Sequence, residues 1–197
     1  MQQIALFPLR TVLFPGALLP LRIFESRYVD MVGQCMRRDE CFGVLQIVEG
    51  REAASAVTVS AVGTAARIVD FETLQDGLLG LLCRGERRFR LVERSQQPDG
   101  LNRGQIEWLE ELSPQPLPSH YQSLVPVLRQ VLTRLGRIEQ FVQPRYDDAG
   151  WVSFRLAEFL PLSAQAQQRL LEMEDPLERL ALLAPLIDPA SPTAGHS

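Results

Sequence analysis

The sequence predicts an α+β protein: a β-rich N-terminal part with one inserted helix, followed by a bundle of about four helices. Three observations carry this. Short apolar runs cut by proline and glycine fill residues 1–112, which is the signature of strands and turns. Ser113-Pro114-Gln115-Pro116-Leu117-Pro118 alternates three prolines, a stiff extended linker at 113–118. Over 119–187 the apolar residues recur at helical spacing, and 188–197 reads as a mobile tail.

Taken in order, Ile4-Ala5-Leu6-Phe7 and residues 18–24 read as strands, with prolines marking edges or bends. Residues 26–39 read as a helix, because Tyr28, Met31, Val32 and Cys35 fall at i, i+3, i+4 and i+7. Glu25 and Ser26 stand at its start, where a carboxylate or hydroxyl meets free backbone N–H groups. Residues 42–48 form a short apolar strand. Residues 57–71 form another, on which Val57, Val59, Ala61, Ala65, Val69 and Phe71 share one parity; Gly63 implies a bulge or a close backbone approach. Strands at 78–83 and 87–94 follow. The turn Gln97-Pro98-Asp99-Gly100 then pairs 87–94 with 103–112 as a hairpin. Six or seven strands with one helix make a compact, partly closed barrel.

In the helical part Tyr121, Leu124, Val125, Leu128, Val131, Leu132, Leu135 and Ile138 trace one face. A start at Ser123 places Pro126 in the first turn, where its missing N–H is harmless. Residues 151–160 and 164–173 give two more helices. Asp175-Pro176-Leu177-Glu178 opens a fourth, with N-cap, N1 proline and capping-box glutamate in place.

Composition removes several chemistries. All 20 basic residues are arginine, so a P-loop, a Schiff base and a Ser-Lys dyad are excluded. Only His120, in a Pro/Ser-rich stretch, and His196, in the tail, could serve a triad or a metal; neither is oriented for it, and His120 reads as a solvated residue near a helix start. Cys35, Cys41 and Cys83 lack Cys-x-x-Cys spacing and read as free thiols in a reducing compartment. A net charge of −4 argues against a general affinity for nucleic acid or anionic membranes. No apolar run reaches the ~20 residues of a membrane span, and the N-terminus lacks a signal peptide's basic region. A cytoplasmic location, with no cofactor and no metal, is the expectation.

Phe7-Pro8-Leu9, Leu13-Phe14-Pro15-Gly16 and Pro20-Leu21-Arg22-Ile23-Phe24-Glu25-Ser26-Arg27-Tyr28 follow one another, then Val62-Gly63-Thr64-Ala65-Ala66-Arg67-Ile68 and Gly85-Glu86-Arg87-Arg88-Phe89-Arg90-Leu91. Together these segments resemble the N-terminal substrate-binding domain of ATP-dependent Lon proteases. The resemblance covers the first ~115 residues well and the helical part more loosely. It implies a PUA-like β pseudo-barrel followed by a small helical bundle, and a part in recruiting unfolded or tagged protein substrates. The ATPase and Ser-Lys protease modules of those enzymes have no counterpart in this sequence, which in that respect is similar to free-standing Lon-domain proteins. No catalytic role is carried over.

Two clusters are candidates. Arg22, Glu25, Arg27 and Tyr28 form either a polar recognition point on an apolar surface or an ion pair that pins strand to helix, since charges in so apolar a run must be paired or solvated. Arg87, Arg88, Arg90 and Arg94, with Arg84, form the densest basic run; Arg88, Arg90 and Arg94 on one side of a strand could meet phosphates. Glu107, Glu110 and Glu111 on the partner strand would consume that charge, and Phe89 and Trp108 face the core instead of stacking on bases. Asp147, Asp148 and Glu139 near Gly150 match no calcium loop, and one aspartate there is a helix N-cap. Trp151, Phe154 and Phe159 read as core.

The expected function is non-catalytic recognition of exposed segments of client or partner proteins, among them a separate protease or ATPase, in a groove between barrel and bundle edged by Arg22, Arg27 and Tyr28. The alternatives are an RNA-binding module using the arginine-rich strand, or a small-ligand-binding regulatory domain. The oligomeric state is not readable.

Overall fold

A short continuous apolar run over residues 4–9, with Pro8 barring a helix, makes a buried strand, and in the computed structural model β1 runs Gln2–Leu9. Residues 2–49, 57–111 and 113–187 are described, the side chains of 137–139 excepted. The predicted tail at 188–197, with His196, the predicted strand end at Leu112, and the side chains of Ile138 and Glu139 lie outside the described residues. The chain divides into two compact units, Met1–Glu110 and Glu111–Ser197.

In the first unit β2 spans Leu18–Ile23, α1 Ser26–Arg38, β3 Phe42–Glu49, β4 Thr58–Val59, β5 Val62–Thr73, β6 Leu79–Gln96 and β7 Asn102–Trp108. The ladder runs β1-β7-β6-β5-β3-β4, with β2 on β6. Among the described residues every pairing is antiparallel except β1 with β3, which pair in parallel and return the ladder on itself. Inside lie Ile4, Leu6, Leu45, Phe89 and Ile106. Gly63 is required there: a Cβ on it would stand 2.4 Å from the Val44 carbonyl oxygen, a close backbone approach as the sequence implied. Helix α1 buries Tyr28, Met31, Val32 and Cys35, the four residues its spacing selects. It ends at Asp39, whose φ of 54° is left-handed and whose N–H returns to the Cys35 carbonyl.

Several expectations are corrected. The predicted strand at 57–71 is two strands, because the chain breaks at residues 60–61. The proposed parity fails at its far end: Ala65 is buried while Phe71 is 57% exposed. The cause is a register shift between Ile68 and Asp70, which leaves Val69 as an extra residue and turns the rest of β5 over. The predicted strands at 78–83 and 87–94 are one continuous β6. Its second bulge sets Glu86 and Arg87 against Ala65 alone, so a charged interruption does not end the strand. The hairpin forms as predicted: Asn102 pairs with Gln96, the Gln97 N–H donates to the Leu101 carbonyl, and Gly100 sits at φ 86°. Its second strand stops at Trp108.

The second unit holds α2 Leu124–Leu132, α3 Ala149–Phe159, α4 Ala164–Glu172 and α5 Pro176–Ile187. Helix α3 packs against each of the other three. Ser123 is the N-cap residue of α2, as expected. The long predicted face is cut short, however: after Leu132 the backbone tightens to 3₁₀ turns, and Gly136 leaves helical geometry at φ 60°, ψ −130°. Asp148 caps α3 by accepting from the Gly150 N–H at 2.9 Å. The Asp175 carboxylate accepts from the Leu177 N–H at 2.8 Å at the start of α5. Trp151 and Phe154 are buried, and Arg179, 2% exposed, donates to Ser153 Oγ at 3.0 Å with its guanidinium 3.9 Å from the Phe154 ring centroid.

Candidate functional site

The N-terminal cluster splits in two. Arg27 pairs through Nη2 with Glu25 at 2.6 Å, donates from Nη1 to the Gly100 carbonyl at 2.8 Å, and lies 4.8 Å from the Tyr28 ring centroid. Tyr28 in turn packs on Phe7, ring centroids 4.0 Å apart. Glu25 occupies the N-cap position of α1, but its carboxylate makes no cap hydrogen bond there; Arg27 holds it instead, which corrects the capping expectation. Arg22 turns away and pairs with Asp76, in the turn before β6. Between the two halves Phe24 is 69% exposed. Sequence reasoning passed it over, although the alternation with buried Ile23 was the available signal.

The basic run is not brought onto one face. Arg88 is 2% exposed. Arg87 donates from Nε to the Leu109 carbonyl and lies over the Trp108 ring. Arg90 is exposed and stands opposite Glu107 in the ladder. A register shift between Leu91 and Glu93 leaves Val92 extra, so Arg94 turns to the other side of β6 and donates to the Val57 carbonyl at 2.6 Å. Arg84 approaches Glu86 at 3.8 Å.

Two hollows lie within the first unit. The larger, about 410 Å³, is enclosed by α1 and by residues of β1, β5, β6 and β7. One wall is an ion-pair network: Arg67 holds Glu86 at 2.7 Å and Asp39 at 2.5 Å, and the Cys41 thiol donates to Glu86 at 3.5 Å. Burial, reinforced by Glu86, pushes the Cys41 thiol up to about 12, and burial pushes Cys83 to about 12 as well. Cys35 is also raised by burial, with Glu40 adding to it. Thiols this reluctant to ionise make poor nucleophiles. Across the hollow Arg103 reaches from β7 toward α1, donating to Gln34 at 3.3 Å, and its buried Nε has no acceptor.

The smaller hollow, about 210 Å³, lies beside the end of α1 and the second half of β5. Strand β3 pairs with β5 only at residues 64–66, whereas β6 pairs with it as far as Thr73. Among the described residues no strand pairs with the other edge of β5 beyond residue 66. Phe71, 57% exposed, and Met36, 44% exposed, flank the hollow, with Ile68 and Val69 partly buried. The Phe71 N–H finds its acceptor in the Asp70 carboxylate at 2.9 Å. Spacing alone could not find this edge, because the shift at Val69 decides which side chains turn outward.

No group of three or more metal-ligating side chains occurs among the described residues, and no described helix is long and apolar enough to cross a membrane.

Comparison with known proteins follows the same line. The family profile described as ATP-dependent protease La (LON) substrate-binding domain matches residues 3–188. The Lon N-terminal domain protein from Xanthomonas campestris, a crystal structure, is similar at 38% identity and a TM-score of 0.77, covering 93% of this chain and 98% of that one. The N-terminal domain of Mycobacterium avium complex Lon protease shares the fold at 18% identity and a TM-score of 0.62, covering 92% and 96%. The Lon protease of Cytophaga hutchinsonii is 24% identical over 93% of this chain, and that of Xanthomonas oryzae 28% over 92%. The chain spans only 24% and 22% of the length of these two relatives.

Proposed function

The chain belongs to the substrate-binding domain family of ATP-dependent Lon proteases, and from that premise we propose that it is a non-catalytic module, cytoplasmic and without cofactor, that grips exposed segments of client or partner proteins. The closed ladder is then the PUA-like pseudo-barrel of that family and the four C-terminal helices its bundle.

The observation that carries the proposal is the edge of β5 beside α1, along which no described strand pairs beyond residue 66. A strand directs its N–H and C=O groups alternately to both sides, so every second residue of an edge offers both to a new strand. An extended client segment adds along residues 68–73, and its apolar side chains enter the hollow between Phe71 and Met36. The Asp70 carboxylate occupies the Phe71 N–H until a segment displaces it. Glu40 and Asp70, both exposed, line the hollow, which favours segments whose apolar residues are flanked by lysine or arginine. Of the N-terminal cluster, Arg22 serves as an outward contact beside Phe24, while Glu25, Arg27 and Tyr28 set the first turn of α1.

An RNA reading needs several exposed guanidinium groups in a row; burial of Arg88 and the turned Arg94 leave it without that row. The test is a fluorescence-anisotropy titration of the full chain with labelled, reduced and carboxymethylated lactalbumin, a permanently unfolded protein. Phe71→Asp is expected to weaken binding by at least ~10-fold, and wild-type binding by that variant would overturn the assignment of the edge.

A further inference from the structure

We propose that the 410 Å³ hollow is a binding site for a carboxylate attached to an apolar group, with Arg103 as the recognising cation. Three observations converge. The volume falls in the range of small-ligand sites, which run roughly 300–1,000 Å³. Arg103 lines the hollow, has the neutral Gln34 amide as the acceptor for its guanidinium among the described residues, and keeps a buried Nε with no acceptor. The apolar part of the lining, including Ile4, Ala5, Met31 and Trp108, offers a surface for a hydrocarbon group.

The other charges sharpen the choice. Arg67 is already spent on Glu86 and Asp39, and Arg87 is held by Leu109 and Trp108. The three arginines and three carboxylates of the lining cancel formally. A phosphate dianion would face Glu40, Asp39 and Glu86, with Arg67 among the described arginines already paired to two of them. A single carboxylate asks only for Arg103, whose guanidinium can give a forked pair of N–H donors to its two oxygens once Gln34 yields. Guanidinium to carboxylate is also the pairing that restores an acceptor to the buried Nε.

Recognition of the carboxylate stands apart from the client-segment reading; only its source touches on it. Cys35, Asp39, Glu40 and Arg67 line both hollows, so a segment along β5 could end in the larger one, and a free organic acid could equally enter it.

The experiment is ¹H–¹⁵N NMR of the intact chain, following the Arg103 Nε–H and the Trp108 indole N–H during titration with N-acetyl-L-leucine. Both resonances are expected to move saturably, while N-acetyl-L-leucinamide, which lacks the charge, binds at least ~10-fold more weakly. In Arg103→Gln the Trp108 resonance stays at its native position, reporting an intact fold, and its response to N-acetyl-L-leucine falls at least ~10-fold. An Arg103 resonance that does not move, an equal response to the amide, or a full response in Arg103→Gln would each overturn the proposal. N-acetyl-glycyl-glycyl-L-leucine identifies the source: tighter binding than the single amino acid assigns the site to chain ends, equal or weaker binding to free acids. Loss of lactalbumin binding in Phe71→Asp leaves this titration unchanged, so the two readings fail separately.

Discussion

Arg27, in the first turn of α1, donates to the carbonyl of Gly100, 73 residues on, at 2.8 Å. One guanidinium thus ties the helix start to the tip of the β6–β7 hairpin while pairing with Glu25. The Arg27 side chain is only 12% exposed, so its loss strands partners that water does not fully compensate. Arg27→Met is expected to lower unfolding free energy by ~1–3 kcal/mol in urea denaturation. A change within error would mean that the hairpin holds α1 by other contacts.

The glycines give a graded steric prediction. A Cβ at Gly63 would meet the Val44 carbonyl oxygen at 2.4 Å, while one at Gly77, φ 81°, meets nothing within 4 Å. Gly63→Ala has to move one strand against another and is expected to cost at least ~3 kcal/mol. Gly77→Ala has only its backbone angle to oppose it, about 1 kcal/mol. Thermal denaturation of the two variants side by side checks the order, and equal costs would contradict the close β3–β5 approach.

The buried thiols predict an alkaline instability of definite sign. Cys41 and Cys83 hold their protons up to about 12, whereas unfolded thiols release theirs near ~8.5. Above that pH the folded chain binds more protons than the unfolded one, so stability is intact below pH ~8.5 and falls as pH rises toward 12. The urea midpoint is expected to drop between pH 7.5 and pH 10, and to drop less in Cys83→Ser. At pH 8 the folded thiols should react with a disulfide reagent more than ~100-fold slower than in denaturant, through their thiolate fraction alone. A flat pH profile would contradict the burial of these groups.

Much of the architecture was legible in the sequence where local chemistry decides it. The spacing of Tyr28, Met31, Val32 and Cys35 marks α1; Pro98-Asp99-Gly100 marks the hairpin; Asp148 and Asp175 mark two helix starts. What failed was parity over long strands. The extra residues at Val69, Glu86–Arg87 and Val92 each invert the alternation. They turn Phe71 outward and separate Arg94 from Arg90, and no single-sequence pattern announces a bulge. The hollow around Arg103 escaped for another reason. Gln34, Arg67 and Arg103 come from a helix and two strands far apart in the chain, and only the register brings them to one cavity.

Capture of an unfolded segment by the β5 edge is read by amide hydrogen exchange of the full chain with and without reduced, carboxymethylated lactalbumin. Slowed exchange is expected at residues 68–73, with the end of α1 near Met36 following, because new strand pairing must capture those N–H groups. Protection confined to other parts of the chain, or none at a client concentration that saturates binding, would contradict it.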